Sequence, residues 1–271
     1  MIIQHNMRSM NTNRQLGIVG GNLSKAAEKL SSGYRVNRAA DDAAGLAISE
    51  KLRSQVRGLN RASDNAQDGI ALIQTAEGAM EQQHAILQRT RELVVQAANT
   101  GTLDGSKEND FTKIQDEINE LKTEYERINS DTEYNKKKLL DNTYSKQFLQ
   151  IGANSAQGIS VTISKTSWSA VSVTATSGSA NSSKLSVVDQ MLSKVSTMRS
   201  KLGAIQNRLE YTVKVDDNTA ENLQSAESRI RDTDMADEMT RFSKESILQQ
   251  AATSMLAQAN QANQGVLSLL Q

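Results

Sequence analysis

The sequence contains no proline in 271 residues, and this absence constrains the fold more than any other feature. Proline ends or kinks a helix because it lacks a backbone N–H and its ring clashes with the preceding turn. Long uninterrupted helices are therefore allowed along the whole chain. Cysteine is also absent, which excludes a fold held together by disulfides. Only 3% of the residues are aromatic, which indicates a thin core in an elongated molecule.

Apolar residues recur at alternating spacings of three and four, the pattern of helices that pack along a seam. One series predicts a long helix that begins at Asp41 or Asp42, where a short polar side chain can cap it. This helix is predicted to end between Asn99 and Gly105, where turn-forming residues cluster. A second series, at residues 114–128, predicts a shorter helix that folds back antiparallel to the first. A third series, at residues 191–212, predicts another helix.

The three predicted helices can bury their seams against one another as an antiparallel bundle. We predict a bundle core of seam residues: Leu52, Val56, Leu59, Ile70, Ile73, Met191, Val195, Met198, Leu202, Ile205 and Leu209. The first helix also has three weaker seam positions: Ser63, Glu77 and His84. We expect His84 to have a structural role there, because a lone histidine on a helix seam is usually packed or partly exposed.

Between the helices the periodicity of apolar residues changes to two, which is typical of β-strands. Short strands are predicted at three places: residues 148–151, 159–163 and 171–175. Residues 158–183 are rich in serine and threonine and contain Trp168, the single tryptophan of the chain. We expect residues 145–183 to form an exposed, strand-rich excursion at the tip of the bundle.

The two ends of the chain carry almost no charge. Residues 246–271 contain no charged side chain, and only Arg8 and Arg14 are charged within residues 1–24. Uncharged amides and hydroxyls can be removed from water at lower cost than charges. We therefore expect both ends to fold against copies of the same chain. The residues predicted to mediate this self-assembly are apolar: Leu16, Leu23, Leu30, Ile247, Leu248, Met255, Leu256, Val266, Leu267, Leu269 and Leu270.

Self-assembly can be closed or open. Contacts between different patches propagate head to tail, and two distinct end helices favour this arrangement. The periodicity alone does not separate a filament from a ring. The N-terminal residues lack the pattern of a conventional signal peptide, so export would require another route.

No catalytic motif is present. The sequence lacks a phosphate-binding loop and a nucleophile elbow, and its two histidines do not have the spacing of a zinc protease. We read Asp41 and Asp42 as helix caps, and Asp216 and Asp217 as a turn or a solvated face. The 31 basic and 31 acidic residues balance, and no run of about 18 apolar residues occurs. We expect no enzyme activity, no cofactor or metal, no nucleic-acid partner and no membrane partner.

Two stretches near the ends of the chain are distinctive: LSSGYRVNRAADDAAGLAIS at residues 30–49 and ENLQSAESRIRDTDMADEMTRFSKESILQQAATSMLAQANQ at residues 221–261. They resemble the terminal signatures of bacterial flagellins. With NAQDGIALIQTAEGAM and KLGAIQNRLE, the resemblance covers residues 1–145 and 185–271. It implies a mainly α-helical subunit without large outer domains. Residues 1–43 and 231–271 would form paired terminal helices in an inner tube, and residues 44–230 would form the surrounding bundle.

The resemblance also implies a function and partners. It implies a secreted, extracellular subunit of the flagellar filament that is exported unfolded and polymerises with itself, and that serves motility. Its further partners would be an export chaperone, the filament cap and the hook–filament junction proteins. Flagellins are also recognised by an innate immune receptor of animals, and the matching positions here are Arg89, Glu92, Leu93 and Glu117. A packing role is the simpler reading of these four residues.

Two alternatives remain at this point. A chemoreceptor signalling domain is also a long antiparallel coiled coil, but it would have little reason for a strand-rich insertion or uncharged ends. The hook–filament junction protein shares the design of the end helices and is the nearer rival. It is distinguished by the strength of the matches at residues 30–49 and 246–261.

Overall fold

The computed structural model describes residues 6–99, 110–174 and 178–269, with side chains as far as Gln261. The described residues form five helices: α1 (Met7–Ser32), α2 (Ala43–Ala98), α3 (Asp110–Asp131), α4 (Gly178–Arg231) and α5 (Met235–Leu269). They also form four short strands: β1 (Glu133–Tyr134), β2 (Lys137–Lys138), β3 (Gln147–Gln150) and β4 (Gly158–Val161). The predicted mainly α-helical fold with a small antiparallel strand region is confirmed.

The 56 residues of α2 form one uninterrupted helix, as the lack of proline allows. Asp42 caps it, because Oδ1 of Asp42 accepts the Gly45 N–H at 2.8 Å. The carboxylate of Asp41 instead accepts the backbone N–H groups of Arg38 and Asn37, and these hydrogen bonds hold its pKa below the ordinary value. The predicted start is therefore confirmed. The helix ends at Ala98, at the near edge of the predicted range; Gly105 lies outside the described residues.

The chain contains two compact units, which are described separately. One runs from the N-terminal part of the chain to Ser54 and resumes at Glu221, and the other is Gln55–Ala220. Both α2 and α4 contribute residues to each unit. The predicted division into an inner-tube part and a bundle part concerns the filament and stays a prediction.

In the unit Gln55–Ala220, α2 and α4 run antiparallel. Four polar contacts join the two helices: Ser63 to Asp217 at 2.9 Å, Glu77 to Arg199 at 3.6 Å, Arg91 to Asp189 at 2.9 Å, and the Ala97 carbonyl to Asn181 at 2.9 Å. In this series the residue numbers rise along α2 and fall along α4, which shows the antiparallel direction. Helix α3 packs against the same pair and buries Ile118 and Tyr125.

The core of this unit follows the seam. Five of the predicted core residues are buried: Ile73, Met191, Val195, Leu202 and Leu209. Three more are partly buried and pack against the core: Ile70, Met198 and Ile205. The remaining three, Leu52, Val56 and Leu59, are half-buried and lie outside this cluster. Hydrophobic burial stabilises the unit by about 25 cal/mol for each Å² of apolar surface removed from water.

The strand region differs from its prediction in two respects: the β1–β2 pair was not predicted, and the third predicted strand is missing from the described residues. Strands β3 and β4 form an antiparallel hairpin, as expected. Residues 171–174 form no strand, and Ala175 lies outside the described residues. The N–H of Val173 donates to the side chain of Gln115 at 2.7 Å, and that of Thr174 donates to Asn181 at 3.0 Å. These side chains satisfy the backbone that a neighbouring strand would otherwise satisfy.

The segment after α3 lies beside the helices instead of projecting from one end as an exposed tip. Three contacts fix it along α2: Gly58 against Ala153, Asn65 to the Gln150 carbonyl at 3.1 Å, and Gln83 to Thr166 at 3.1 Å. The apolar residues of the segment alternate, so one face must be buried, and the groove between helices offers that burial. Residues 178–183, predicted to belong to the excursion, form the first turns of α4.

A buried polar network holds this segment in register. The amide of Gln83 donates to Asn129 at 3.0 Å and accepts from the Thr166 hydroxyl, and Tyr125 donates to the Thr166 carbonyl at 3.1 Å. Burial raises the pKa of the Tyr125 hydroxyl, and this hydrogen bond partly opposes the rise. The Trp168 ring meets the Tyr125 ring edge to face at 5.4 Å. Satisfied buried polar groups favour one packing arrangement over others.

The reading of Asp216 and Asp217 as a turn or a solvated face is wrong for Asp216. Helix α4 continues through both residues, and Asp216 follows Leu209 by one heptad, so it occupies a seam position. It is only 7% exposed, and its Oδ2 has no hydrogen-bond partner within the described residues. Burial, and then the neighbouring charge of Asp217, raise the pKa of Asp216. Asp217 is exposed and accepts a hydrogen bond from Ser63.

In the other unit, α1 and α5 form the predicted pair of terminal helices. Asn6 caps α1, and Gly33 ends it in the left-handed conformation with φ of 73°, which glycine adopts without strain. The helices run antiparallel: the Asn6 amide donates to the Ala259 carbonyl at 3.1 Å, and Ser9 donates to Asn260 at 2.8 Å. At the opposite end an isolated β-bridge joins Tyr34 and Asp232.

Replacing Leu202 by alanine should lower the free energy of unfolding by about 2 to 5 kcal/mol, because the side chain is fully buried on the seam and a cavity would remain. Urea unfolding followed by circular dichroism measures the change. The control is Lys201→Ala, one residue away and exposed, which should change stability by less than about 0.5 kcal/mol. Equal effects from both substitutions would contradict the assigned seam.

Replacing Asp216 by asparagine should raise the free energy of unfolding at neutral pH by about 1 to 2 kcal/mol, because a buried unsatisfied carboxylate is removed. The pKa of Asp216 is raised in the folded chain, so wild-type stability falls as pH rises between the ordinary carboxyl pKa and the raised value. The advantage of the variant should therefore shrink in acid. Urea unfolding at several pH values tests this.

The matched control for the pH experiment is Asp64→Asn, which removes the same charge from an exposed carboxylate on α2 that pairs with Arg61. It should show no gain that grows from acid to neutral pH. A gain of the same size for both variants would contradict the role assigned to burial of Asp216.

Candidate assembly surface

The terminal helices bury little of their apolar surface in the single chain. In α1, only Ala26 is buried. Eight large apolar side chains of the two helices are exposed: Met7, Met10, Ile18, Met235, Met239, Ile247, Leu248 and Met255. We call these eight residues the terminal apolar surface. Isolated exposed apolar residues are common, but a set of this size on one helix pair indicates a surface that another molecule covers.

The predicted self-assembly residues divide into three groups. Ile247, Leu248 and Met255 belong to the terminal apolar surface, and Ile247 is 67% exposed. Four leucines are half-buried on α1 and α5: Leu16, Leu23, Leu30 and Leu256. The side chains of the other four lie outside the described part: Val266, Leu267, Leu269 and Leu270. Their role in assembly stays a prediction.

Sequence reasoning missed five members of the terminal apolar surface. Met7, Met10 and Ile18 lie in the nearly uncharged N-terminal stretch, so the lack of charge was a usable signal. Met235 and Met239 lie among charged residues and fit no clear stripe, so no sequence signal identified them. Only the packing of α1 against α5 shows that these residues remain exposed and belong to one helix pair.

The contact between α1 and α5 is uncharged. Its hydrogen bonds come from amides and a hydroxyl on Asn6, Ser9 and Asn260, and no ion pair joins the two helices among residues 6–32 and 235–261. Amide pairs lose less than ion pairs when water is removed from around them. The end of the helix pair around Asn6 and Asn260 can therefore be enclosed by other molecules without breaking an ion pair.

A cluster of charged and aromatic residues fixes the ends of the terminal helices. This junction cluster consists of Tyr34, Glu50, Arg53, Glu227 and Arg231. The Arg231 guanidinium lies 4.7 Å from the Tyr34 ring centroid, as in a cation–π contact, and donates to Glu50 at 2.6 Å. Arg53 pairs with Glu227 at 3.0 Å. Burial opposes the charge of Arg53, but the two glutamates outweigh it and raise its pKa.

Two backbone hydrogen bonds accompany the junction cluster. The Arg35 N–H donates to the Arg231 carbonyl at 2.7 Å, and the Thr233 N–H donates to the Gly33 carbonyl at 3.0 Å. The cluster thereby ties the residues after α1 to the short connection between α4 and α5. Sequence reasoning missed it, because its members are far apart along the chain and no periodicity links them.

The four residues matched to receptor recognition do not share one surface. Arg89 pairs with Glu92 at 3.1 Å and with Glu117 at 2.9 Å, and all three are exposed. The hydrogen bonds that Arg89 donates to Glu117, and then to Glu92, raise the pKa of Arg89. Leu93 is 2% exposed and belongs to the core. The structure therefore brings three of the four together on the surface.

The described residues offer little for other chemistry. They contain no group of three or more histidine, aspartate or glutamate side chains that could hold a metal ion. His84 is half-buried on α2, with Nε2 at 3.0 Å from the Gln88 amide nitrogen. Within the same residues, no helix is long and apolar enough to cross a membrane.

The family models and the similar known sequences all indicate the same protein family. The family model of the bacterial flagellin N-terminal helical region matches residues 3–145, and that of the C-terminal helical region matches residues 185–270. The chain is 52% identical to a flagellin of Halalkalibacterium halodurans and 49% identical to a flagellin of Bacillus subtilis, and each alignment covers both chains completely. The crystal structure of Bacillus cereus flagellin matches 56% of this chain and 88% of its own, with a TM-score of 0.50 and 24% identity, which supports the fold.

Replacing Arg231 by alanine should increase the rate of hydrogen exchange at the Arg35 and Thr233 amides by about ten- to hundredfold, because the junction cluster loses its central cation. Exchange followed by mass spectrometry measures this. The control is Arg229→Ala, two residues earlier and exposed, which should leave both amides protected. Unchanged protection in Arg231→Ala would contradict the role of the cluster.

Proposed function

The chain belongs to the bacterial flagellin family, and we propose that its terminal helices drive head-to-tail polymerisation into the flagellar filament. It is a structural subunit of that filament. The observation that carries the proposed mechanism is the terminal apolar surface on α1 and α5. Burying a large apolar side chain such as Ile247 contributes about 1.5 to 3 kcal/mol, so several together give a substantial drive for assembly.

The open form of assembly follows from the chemistry of the two helices. Helices α1 and α5 differ in sequence, so the patch that one subunit offers need not match the patch that receives it. Contacts between different patches propagate instead of closing as a dimer. We propose that residues 1–43 and 231–271 form the inner tube and that residues 44–230 form the surrounding wall. The uncharged hydrogen bonds that join α1 and α5 at Asn6 and Ser9 support burial of this end of the pair inside the polymer.

The finer details of the function are also part of the proposal. The subunit is exported unfolded and functions outside the cell, where its filament serves motility. An export chaperone, the filament cap and the hook–filament junction proteins are its further partners. The absence of proline and cysteine supports export in the unfolded state, because refolding then needs neither prolyl isomerisation nor disulfide exchange.

Receptor recognition is the second proposed property, and the exposed group of Arg89, Glu92 and Glu117 supports it. These three residues offer a fixed pattern of charge to a binding protein. Leu93 lies beneath them in the core, so its contribution would be to hold α2 in place. Packing within the bundle accounts for Leu93 without any receptor.

Introducing carboxylates at Ile247→Asp and Met255→Asp should leave the melting temperature of the monomer unchanged and reduce filament yield by about tenfold or more, because charges would be buried without partners. Electron microscopy after seeded polymerisation measures the yield. The matched control is Ile247→Leu with Met255→Leu, which keeps the apolar surface and should polymerise normally.

A comparison of the full chain with a version trimmed to residues 45–230 tests the proposal as a whole. Filaments from the full chain alone would support assembly through the terminal helices. Normal filaments from the trimmed version, or from the double aspartate variant, would overturn the role assigned to α1 and α5. Failure of the full chain to polymerise on seeds would contradict the proposal that α1 and α5 drive polymerisation.

A further inference from the structure

A groove opens on the surface of the unit Gln55–Ala220, between α2, the turn from β1 to β2, and β3. Its volume is about 450 Å³, and its lining combines charged, polar and aromatic side chains, among them Asn65, Asp68, Tyr134, Lys137 and Phe148. We call it the Asp68 groove.

The Asp68 groove has two features of a site that receives a partner. The Phe148 ring is 57% exposed. It packs against Gly158, where any side chain would overlap the ring. The Asp68 carboxylate takes part in no ion pair among the described residues, although it sits beside apolar Leu72 in the groove wall. The groove thus offers an aromatic face beside a carboxylate that makes no direct ion pair within the described residues, and Lys137 belongs to the same lining.

An exposed strip of mixed apolar and basic side chains lies on one face of α4. Arg208, Tyr211 and Val215 follow one another at helical spacing, so they share that face. Tyr211 is 69% exposed and Val215 is 61% exposed, and the Lys214 ammonium lies 5.7 Å from the Tyr211 ring centroid. Arg208 takes part in no ion pair among the described residues. We call these three residues the Tyr211 knob.

The Tyr211 knob and the Asp68 groove lie at the same position along the antiparallel pair of α2 and α4. A side chain at Gly69, in the groove wall, would contact Leu209, the seam residue between Arg208 and Tyr211 on α4. Tyr211 is nevertheless largely exposed and does not line the groove of its own chain. A knob and a groove at one level, on different parts of the surface, can meet when two copies lie side by side.

We propose that the Tyr211 knob of one subunit inserts into the Asp68 groove of a second copy of this chain and forms a lateral contact of the filament. The inference rests on the proposed function. Arg208 pairs with Asp68, the Tyr211 ring stacks on Phe148, and the Tyr211 hydroxyl accepts a hydrogen bond from Lys137. Because knob and groove are different patches, the contact propagates from subunit to subunit and does not close a dimer.

Charge reversal tests the pairing of Arg208 with Asp68. Asp68→Arg and Arg208→Asp should each slow seeded filament elongation by about tenfold or more, because two like charges would face each other across the contact. The double variant Asp68→Arg with Arg208→Asp should restore elongation. An equimolar mixture of the two single variants should also elongate, since each knob then finds a groove of opposite charge on the other chain. Melting curves of the monomers control for folding.

Because the chain has no cysteine, disulfide crosslinking gives an independent readout without background. Filaments grown from an equimolar mixture of Asp68→Cys and Arg208→Cys chains should yield covalent dimers on oxidation. Filaments of either variant alone are the matched controls and should yield none. Equal dimer yields in all three, or no dimers in the mixture, would overturn the proposed contact.

The outcomes separate this inference from the proposed function. If wild-type chains elongate seeds and both charge-reversal variants do so at the wild-type rate, the lateral contact is wrong and the filament function stands. If wild-type chains do not elongate seeds, the proposed function fails and the inference fails with it. Slow single variants without rescue by the double variant would overturn the pairing of these two residues.

Discussion

The rest of the structure depends on the apolar seam between α2 and α4. Leu202 and Leu209 are fully buried there, one heptad apart, and the removal of such side chains from water is the main favourable contribution to folding. The polar contacts between these helices, such as Ser63 with Asp217, fix the antiparallel register and add little energy themselves. Once the seam is aligned, α3 and the segment after it can pack against the helices in a single arrangement.

Burial is unevenly distributed between the two compact units. The apolar core lies in Gln55–Ala220, whereas α1 buries only Ala26 and α5 leaves Ile247 and Met255 exposed. A helix pair with this much exposed apolar surface gains stability when other molecules cover it. The hydrogen bonds described between these two helices come from uncharged groups, and no ion pair joins the helices within residues 6–32 and 235–261, so this contact loses none when it is enclosed. The self-assembly that we propose for this helix pair would thus follow from where the chain places its apolar side chains.

Buried polar groups serve opposite roles in the helical unit. Gln83, Asn129 and Thr166 satisfy one another and hold the strand-rich segment in register. Asp216 occupies a seam position where its Oδ2 has no hydrogen-bond partner within the described residues, and we predict that it reduces stability at neutral pH. All of these side chains are polar, but they differ in whether their hydrogen bonds are made. A buried polar group lowers stability most when it has no hydrogen-bond partner. The heptad alone could not reveal this, because it reports position along the seam and not the partners available there.

The sequence by itself determined the helices, the cap at Asp42, the β3–β4 hairpin and the uncharged ends, because periodicity and capping are local properties of the chain. It did not determine that residues 171–174 would bond to helix side chains, that Leu93 would be buried beneath Arg89, or that Arg231 would lie over Tyr34. Three of the eight residues of the terminal apolar surface were predicted, on α5 where charge is missing, while Met235 and Met239 gave no signal. These features required the tertiary structure, since each depends on residues that are distant in sequence and meet only when the helices pack.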